Sequence, residues 1–497
     1  MLDGPTAVSE GHSPAPPKDC PATISRELRW ALAAWRARVL QGHSTEDNVR
    51  GSGARANARA GSRRGVRPRT GNLNRGRDGL GAWAAAVAGS GGGTRGGRLV
   101  AAVRLDSGVE GRYLEGMEEW LKARVDELVA NGLMRDPADS ELHSTSGPGG
   151  GGWVDACSND YLGLGARAVS RETMDSGREA RAGAGASRLV QGTFPEHLAL
   201  EAELATWLEV EATLVTSSAF AANVGLVPAL VGPGALLVSD ALNHASIVDG
   251  CRLARGRVVV TPHLELAPVE AALRSHTGGE PAWVMTEGLF SMDGDSPDLV
   301  ELRKLCDRFG AGLIVDEAHS LGVFGPGGQG ACAALGVRAD VITAGLGKAV
   351  GSQGGVIGGS KLLRTWLWNR ARSFVFSTGM SPALCRLTLH QVRKARLADA
   401  QRARLLQQAA KLRDALRARG LDVPPASRGP IVPVVLGSND RAMAAMAALR
   451  NQGILAQAIR PPTVPVGAAR LRLTAHADWP EDAVDRIAAA VEAACAS

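Results

Sequence analysis

Two side chains capable of covalent and proton chemistry follow short apolar runs. Leu313-Ile314-Val315 leads into Asp316, and Val341-Ile342-Thr343 leads into the glycine-rich stretch 344–351 that carries Lys348. Apolar runs of this length read as buried parallel strands. In open α/β sheets, ligands sit at the carboxyl ends of such strands. A lysine amine can form a Schiff base with an aldehyde and act afterwards as a base, while an acid can hold a pyridine nitrogen protonated. The pair therefore suits pyridoxal phosphate. Taken singly, an aspartate after a strand caps a helix and a lysine in a glycine loop is solvated. The assignment depends on what surrounds them.

The surrounding elements alternate. Strands are predicted at 213–216, 236–239, 283–286, 313–315 and 341–343, with helical stretches between them. This pattern gives a mostly parallel sheet with a site along its carboxyl edge. After the first strand, Ser217-Ser218-Ala219-Phe220 turns into a helix, whose free amides and positive dipole end suit a phosphate. A glycine loop spans Gly183 to Gly192. From about Arg393 the pattern changes to long helices such as 398–417. A strand at 431–436, a helix at 442–452 and a strand at 455–459 follow.

Several strings then appear in one order: Ser158-Asn159-Asp160-Tyr161-Leu162-Gly163, Asn243-His244-Ala245-Ser246, Glu287-Gly288-Leu289-Phe290-Ser291-Met292-Asp293-Gly294-Asp295, Asp316-Glu317-Ala318-His319, and Lys348 in its loop. Together they resemble the α-oxoamine synthases, pyridoxal-phosphate enzymes that condense an amino acid with an acyl thioester. The resemblance covers residues 117–497. It implies the type I pyridoxal-phosphate transferase fold, with a large α/β domain at 158–392 and a small C-terminal α/β domain at 393–497. An N-terminal helix and arm would occupy 111–157.

The resemblance also implies roles. Lys348 carries the cofactor, Asp316 holds the pyridine nitrogen, His319 bonds the ring hydroxyl and His244 stacks on the ring. Ser291 lies near the ring and Asn159 near the substrate. The amides of Ala219 and Phe220 cradle the phosphate, and Thr378 reaches it from a partner subunit. A homodimer with composite sites follows. Arginine matches carboxylates bidentately, and the Ile459-Arg460-Pro461-Pro462 stretch assigns Arg460 to the amino acid's carboxylate. Arg135 is a candidate for a carboxylate at the far end of the acyl chain, or a solvated surface residue. The implied reaction joins L-alanine to pimeloyl-CoA, or to the carrier-protein thioester, with release of thiol and carbon dioxide. A sister reaction with glycine or serine, or another acyl group, stays open. One position departs from the family: Gly345 stands where relatives usually place Thr or Ser, three residues before the lysine.

Composition sets the limits. The chain has 497 residues and no apolar run of about 18, so no membrane span is expected. Seven scattered cysteines without a C-x-x-C pair suggest reduced thiols, no structural zinc and a cytoplasmic setting. Residues 1–116 hold 18 Lys and Arg against 10 Asp and Glu, and the remainder 38 against 40, so the basicity belongs to the front. The Gly/Arg/Ala/Ser tract at 51–97 cannot bury enough surface to offset chain entropy, and residues 1–110 are expected to be a disordered extension. Such a tract could contact nucleic acid, with the remainder as an inert enzyme-like domain. Trp83 is its only aromatic residue, and stacking platforms use several, so nucleic acid is disfavoured.

Overall fold

In a computed structural model, the structure describes residues 107–135, 152–167 and 180–496. The expectations for the Gly/Arg tract fall outside the described residues. The described residues belong to one compact unit, Val103–Ser497.

The unit is built on a seven-stranded sheet of β2 (Ala212–Thr216), β3 (Leu236–Asp240), β4 (Arg257–Thr261), β5 (Ala282–Glu287), β6 (Gly312–Asp316), β7 (Val341–Gly345) and β8 (Gly355–Gly359). Its spatial order is β2-β8-β7-β6-β5-β3-β4. Only β8 runs against its neighbours. Apolar side chains cover both faces, with Leu226, Met285, Ile314 and Ile357 buried on one and Val284, Leu313, Val315 and Val356 on the other. Two-sided burial explains why the strands read as continuous apolar runs. Each strand expected in this sheet is present, one or two residues longer than predicted, whereas the strand expected at 455–459 is split at Ala456 into two short strands in different sheets.

Helices provide the crossovers. The helix Leu299–Phe309 illustrates their local coding: Asp298 accepts from the Glu301 amide at its start, and Gly310 closes it at φ 63°. A short parallel pair joins β1 (Val154–Asp155) to β10 (Ile454–Leu455). A second sheet orders β11 (Gln457–Ile459), β12 (Ala469–Thr474) and β9 (Ile431–Gly437), all antiparallel. The long helix expected over 398–417 occupies Asp399–Ala418, and Asn439–Asn451 forms the next.

The N-terminal helix α1 (Ser107–Ala130) starts four residues before the expected arm. Its apolar residues Met117, Trp120, Leu121, Val125, Leu128 and Val129 all remain exposed. The periodicity that identified the helix marks a face that no element of this chain covers among the described residues.

Candidate active site

The carboxyl edge of the seven-stranded sheet gathers the reactive residues. β6 ends at Asp316, β5 at Glu287 and β7 at Gly345. Glu287 and Asp316 are register partners, as are Asp316 and Thr343. Partners on neighbouring strands project to the same face, so Asp316, Glu287 and Thr343 share one surface.

Asp316 is buried. Its Oδ2 accepts from Asn223 Nδ2 at 2.6 Å and its Oδ1 from the Ala318 amide at 2.9 Å. Asn223 lies on α2 (Ala219–Leu230), the helix above this face. Among the described residues no side-chain cation pairs with Asp316. A buried carboxylate is costly without a compensating charge, and a pyridinium N–H is such a charge. Burial first, and then the neighbouring Asp316, push the Glu287 carboxyl well above the usual carboxylate range. Glu287 accepts from the His244 amide at 2.6 Å.

Lys348 Nζ stands 2.7 Å from His319 Nε2. Burial lowers the lysine to about 8, Asp316 and Glu287 oppose that shift, and Arg472 adds to it. The amine is therefore available as a nucleophile near neutral pH, as a Schiff-base lysine requires. His319 is held well below the ordinary histidine range by burial, with the charges of Lys348, Arg472 and His244 in support.

At the start of α2, Ser218 caps by accepting from Ala221 N at 3.0 Å. The first turn of a helix leaves its leading amides without intrahelical partners, so those of Ala219 and Phe220 remain for an anion. Gly355 of β8 abuts this turn, and a Cβ there would lie 2.3 Å from Ser218 O. These features fit a cofactor with a basic ring nitrogen, an aldehyde and a phosphate.

His244 caps the helix Ala245–Leu253, accepts from Ser246 N, and is exposed with its ring edge-on to Phe220 at 6.4 Å. Ser291 is buried, and its carbonyl accepts from Arg472 Nε at 2.6 Å. Thr378 is exposed and pairs in a bridge with Ser187. Arg135 is exposed at the end of the described arm.

Arg460 and Arg472 separate here. Arg460, assigned from sequence to the amino acid's carboxylate, donates to the carbonyls of Gly132 and Met134 on the arm. Arg472 of β12 donates to Ser291 O, to Thr474 Oγ1 at 3.1 Å and to Asn159 Oδ1 at 3.1 Å. A guanidinium has five N–H groups, and beyond these bonds Arg472 also reaches the Tyr161 hydroxyl.

Sequence reasoning gave no role to Arg472, Glu287, Asn223 or Tyr161. Their signal was indirect: a buried strand of the form Ala-Arg-Leu-Arg-Leu-Thr must place its arginines against partners. It also missed His263, at the end of β4. Its Nδ1 is 2.8 Å from Asp240 Oδ1 and its Nε2 3.1 Å from Asp295 Oδ2. Asp240 opens the loop to His244 and Asp295 closes the loop that carries Ser291. His263 therefore ties those two loops together. Burial alone would lower it, but the two carboxylates outweigh burial and raise it to about 10.

The family model for class I and II aminotransferases matches residues 152–491. The 8-amino-7-oxononanoate synthase of Anaeromyxobacter dehalogenans strain 2CP-1 is 44% identical over 383 residues, which cover 76% of this chain and 96% of that protein. The chain belongs to the class I and II aminotransferase family, among the 8-amino-7-oxononanoate synthases. Solved structures agree. SPT with PLP superposes at TM-score 0.70 and 26% identity, covering 77% of this chain and 98% of that one. The 8-amino-7-oxononanoate synthase of Francisella tularensis gives 0.60 and 25%, covering 69% and 97%. The fold is thus the type I pyridoxal-phosphate fold expected from the sequence, and the chain is a pyridoxal-phosphate-dependent acyltransferase. Among the described residues no helix is long and apolar enough to cross a membrane.

Proposed function

We propose that this enzyme condenses L-alanine with a pimeloyl thioester, releasing the thiol and carbon dioxide, as in biotin biosynthesis. The likeness to named 8-amino-7-oxononanoate synthases over most of their length carries this reading. Once bound, pyridoxal phosphate supplies an aldehyde that Lys348 and the amino acid can each engage, and a ring that withdraws electrons from the amino acid's Cα. Lys348, when freed, is the base for the Cα proton. Asp316 supplies the negative charge that keeps the ring nitrogen protonated. His319 and His244 flank the ring, Ser291 lies near it, and the amides of Ala219 and Phe220 bind the phosphate.

We assign the amino acid's carboxylate to Arg472 in place of Arg460. Arg472 touches Asn159 and Ser291, whereas Arg460 secures the arm. Arg135, on that arm, remains the candidate for the distal carboxylate of the acyl chain. A second copy of the chain would complete the site through Thr378. The exposed apolar face of α1 and the exposed Phe376 and Val190 beside the Ser187–Thr378 bridge favour such a dimer.

The test is thiol release from pimeloyl-CoA with alanine, glycine and serine in parallel. Alanine should be used best. A preference for glycine or serine, or for an uncharged acyl-CoA of similar length, would leave the family assignment standing and remove this substrate pair.

A further inference from the structure

Tyr161 belongs to the Asn-Asp-Tyr-Leu-Gly string, yet the roles above give it no task. It is fully buried. Its hydroxyl lies 2.6 Å from His319 Nδ1 and 3.2 Å from Asn159 Oδ1. The other nitrogen of His319, Nε2, is the one 2.7 Å from Lys348 Nζ. Tyrosine, histidine and lysine thus form a continuous line of contacts ending at the reactive amine.

The hydrogens on that line follow from chemistry. A neutral imidazole has one N–H and one acceptor nitrogen, and the bond made at one nitrogen fixes the state of the other. Burial pushes the Tyr161 hydroxyl up to about 12, with Arg472 working against the shift, so the hydroxyl keeps its proton. It has two acceptors in reach. Asn159 Oδ1 is the farther and already takes a bond from Arg472 Nη2. His319 Nδ1 is the nearer.

We propose that Tyr161 is a positioning residue for Lys348: its hydroxyl donates to His319 Nδ1, fixes the Nε2–H tautomer, and turns that N–H toward the lysine. A neutral amine accepts this hydrogen bond. An ammonium cannot, because it has no lone pair. The contact therefore favours the unprotonated, reactive lysine. It adds to burial and to Arg472, and opposes Asp316 and Glu287, the other groups facing the amine. Without the hydroxyl, the tautomer with Nδ1–H becomes as accessible as the other, and its bare Nε2 offers the ammonium an acceptor.

This proposal rests on Lys348 being the reactive lysine. Its test reads the amine in the full-length chain freed of cofactor. Trace acylation with acetic anhydride across pH, followed by mass spectrometry of the Lys348 peptide, gives the midpoint for loss of its proton. Tyr161→Phe should raise that midpoint by about one pH unit and slow acylation about tenfold below it. An unchanged or lower midpoint overturns the proposal. If Tyr161→Phe loses cooperative unfolding, long-range 1H–15N spectra of histidine-labelled wild type decide: a protonated Nε2 on His319 supports the proposal, and a protonated Nδ1 overturns it. In the cofactor-free chain, acylation reports on the Lys348 amine whether or not Lys348 is the residue that binds the cofactor. Failure here is therefore distinguishable from failure of the Lys348 assignment, which the cofactor's absorbance tests.

Discussion

The carboxyl edge of the seven-stranded sheet and the three-stranded sheet near the C-terminus build the site by different means. Along the edge, Glu287, Asp316 and Gly345 are ends of adjacent strands, so backbone pairing alone sets their spacing. β12 instead supplies long side chains that reach across to other segments: Arg470 to Asp293, and Arg472 to Ser291 and Asn159. Strand ends give fixed geometry at little side-chain entropy, which suits the cofactor. Long arginines suit ligand carboxylates that come and go. The difference also shows why burial is a poor guide to role. Arg460 and Arg472 are 7% and 5% exposed, yet one is bound to the arm and the other to the site.

Removing a group from the edge should have the largest effect. Lys348→Ala should abolish both turnover and the visible absorbance of the lysine-bound cofactor, in a chain that still folds. A variant retaining that band would move the reactive lysine elsewhere.

The tie between the edge loops should matter less and should show in pH. His263 is raised from 6.5 to about 10 in the fold. Between those values the folded chain holds a proton that the unfolded chain does not. Stability from this group is therefore complete below about pH 6.5 and lost as pH rises through about 10. Urea unfolding of wild type and His263→Gln should differ most at low pH within this range and converge near its top. A difference that grows with pH would contradict the charged tie.

The smallest expected effect is at Gly345. A Cβ there would meet Ala219 Cβ at 3.6 Å and Ala318 Cβ at 3.8 Å, which is ordinary contact. Gly345→Thr adds a hydroxyl beside the turn proposed for the phosphate. It should tighten cofactor binding by about 0.5–1.5 kcal/mol, the value of one neutral hydrogen bond. Equilibrium titration of the cofactor measures it. No gain would mean that another group already makes this contact, and the buried, unpartnered Thr343 hydroxyl is the nearest in sequence.

β5, β6 and β7 were legible because burial on both faces leaves an apolar run between turn residues. β8 was not. Its sequence Gly-Val-Ile-Gly-Gly reads as loop, but it pairs with β2 and β7 and passes so close to the start of α2 that only glycine fits at Gly355. β4 was missed because its side chains are half-buried or exposed, apart from Thr261, so no strong pattern marks it. Lys348, Asp316 and His319 were singled out by short motifs, and the fold brings Lys348 and His319 together 2.7 Å apart at the sheet edge where Asp316 ends β6. Arg472 was not. Its partners stand at positions 159 and 291, far from it in sequence, and the motif drew the reading to Arg460 twelve residues earlier.

The central claim is that the amino acid's carboxylate is held from β12. L-alanine titrated into holoenzyme, followed by the change in cofactor absorbance, tests it in wild type, Arg472→Ala and Arg460→Ala side by side. Loss of two charge-assisted bonds, at about 1.5 kcal/mol or more each, predicts at least a roughly 100-fold weaker Kd for Arg472→Ala, with Arg460→Ala close to wild type. A large loss at Arg460 with alanine affinity intact at Arg472 would contradict the account.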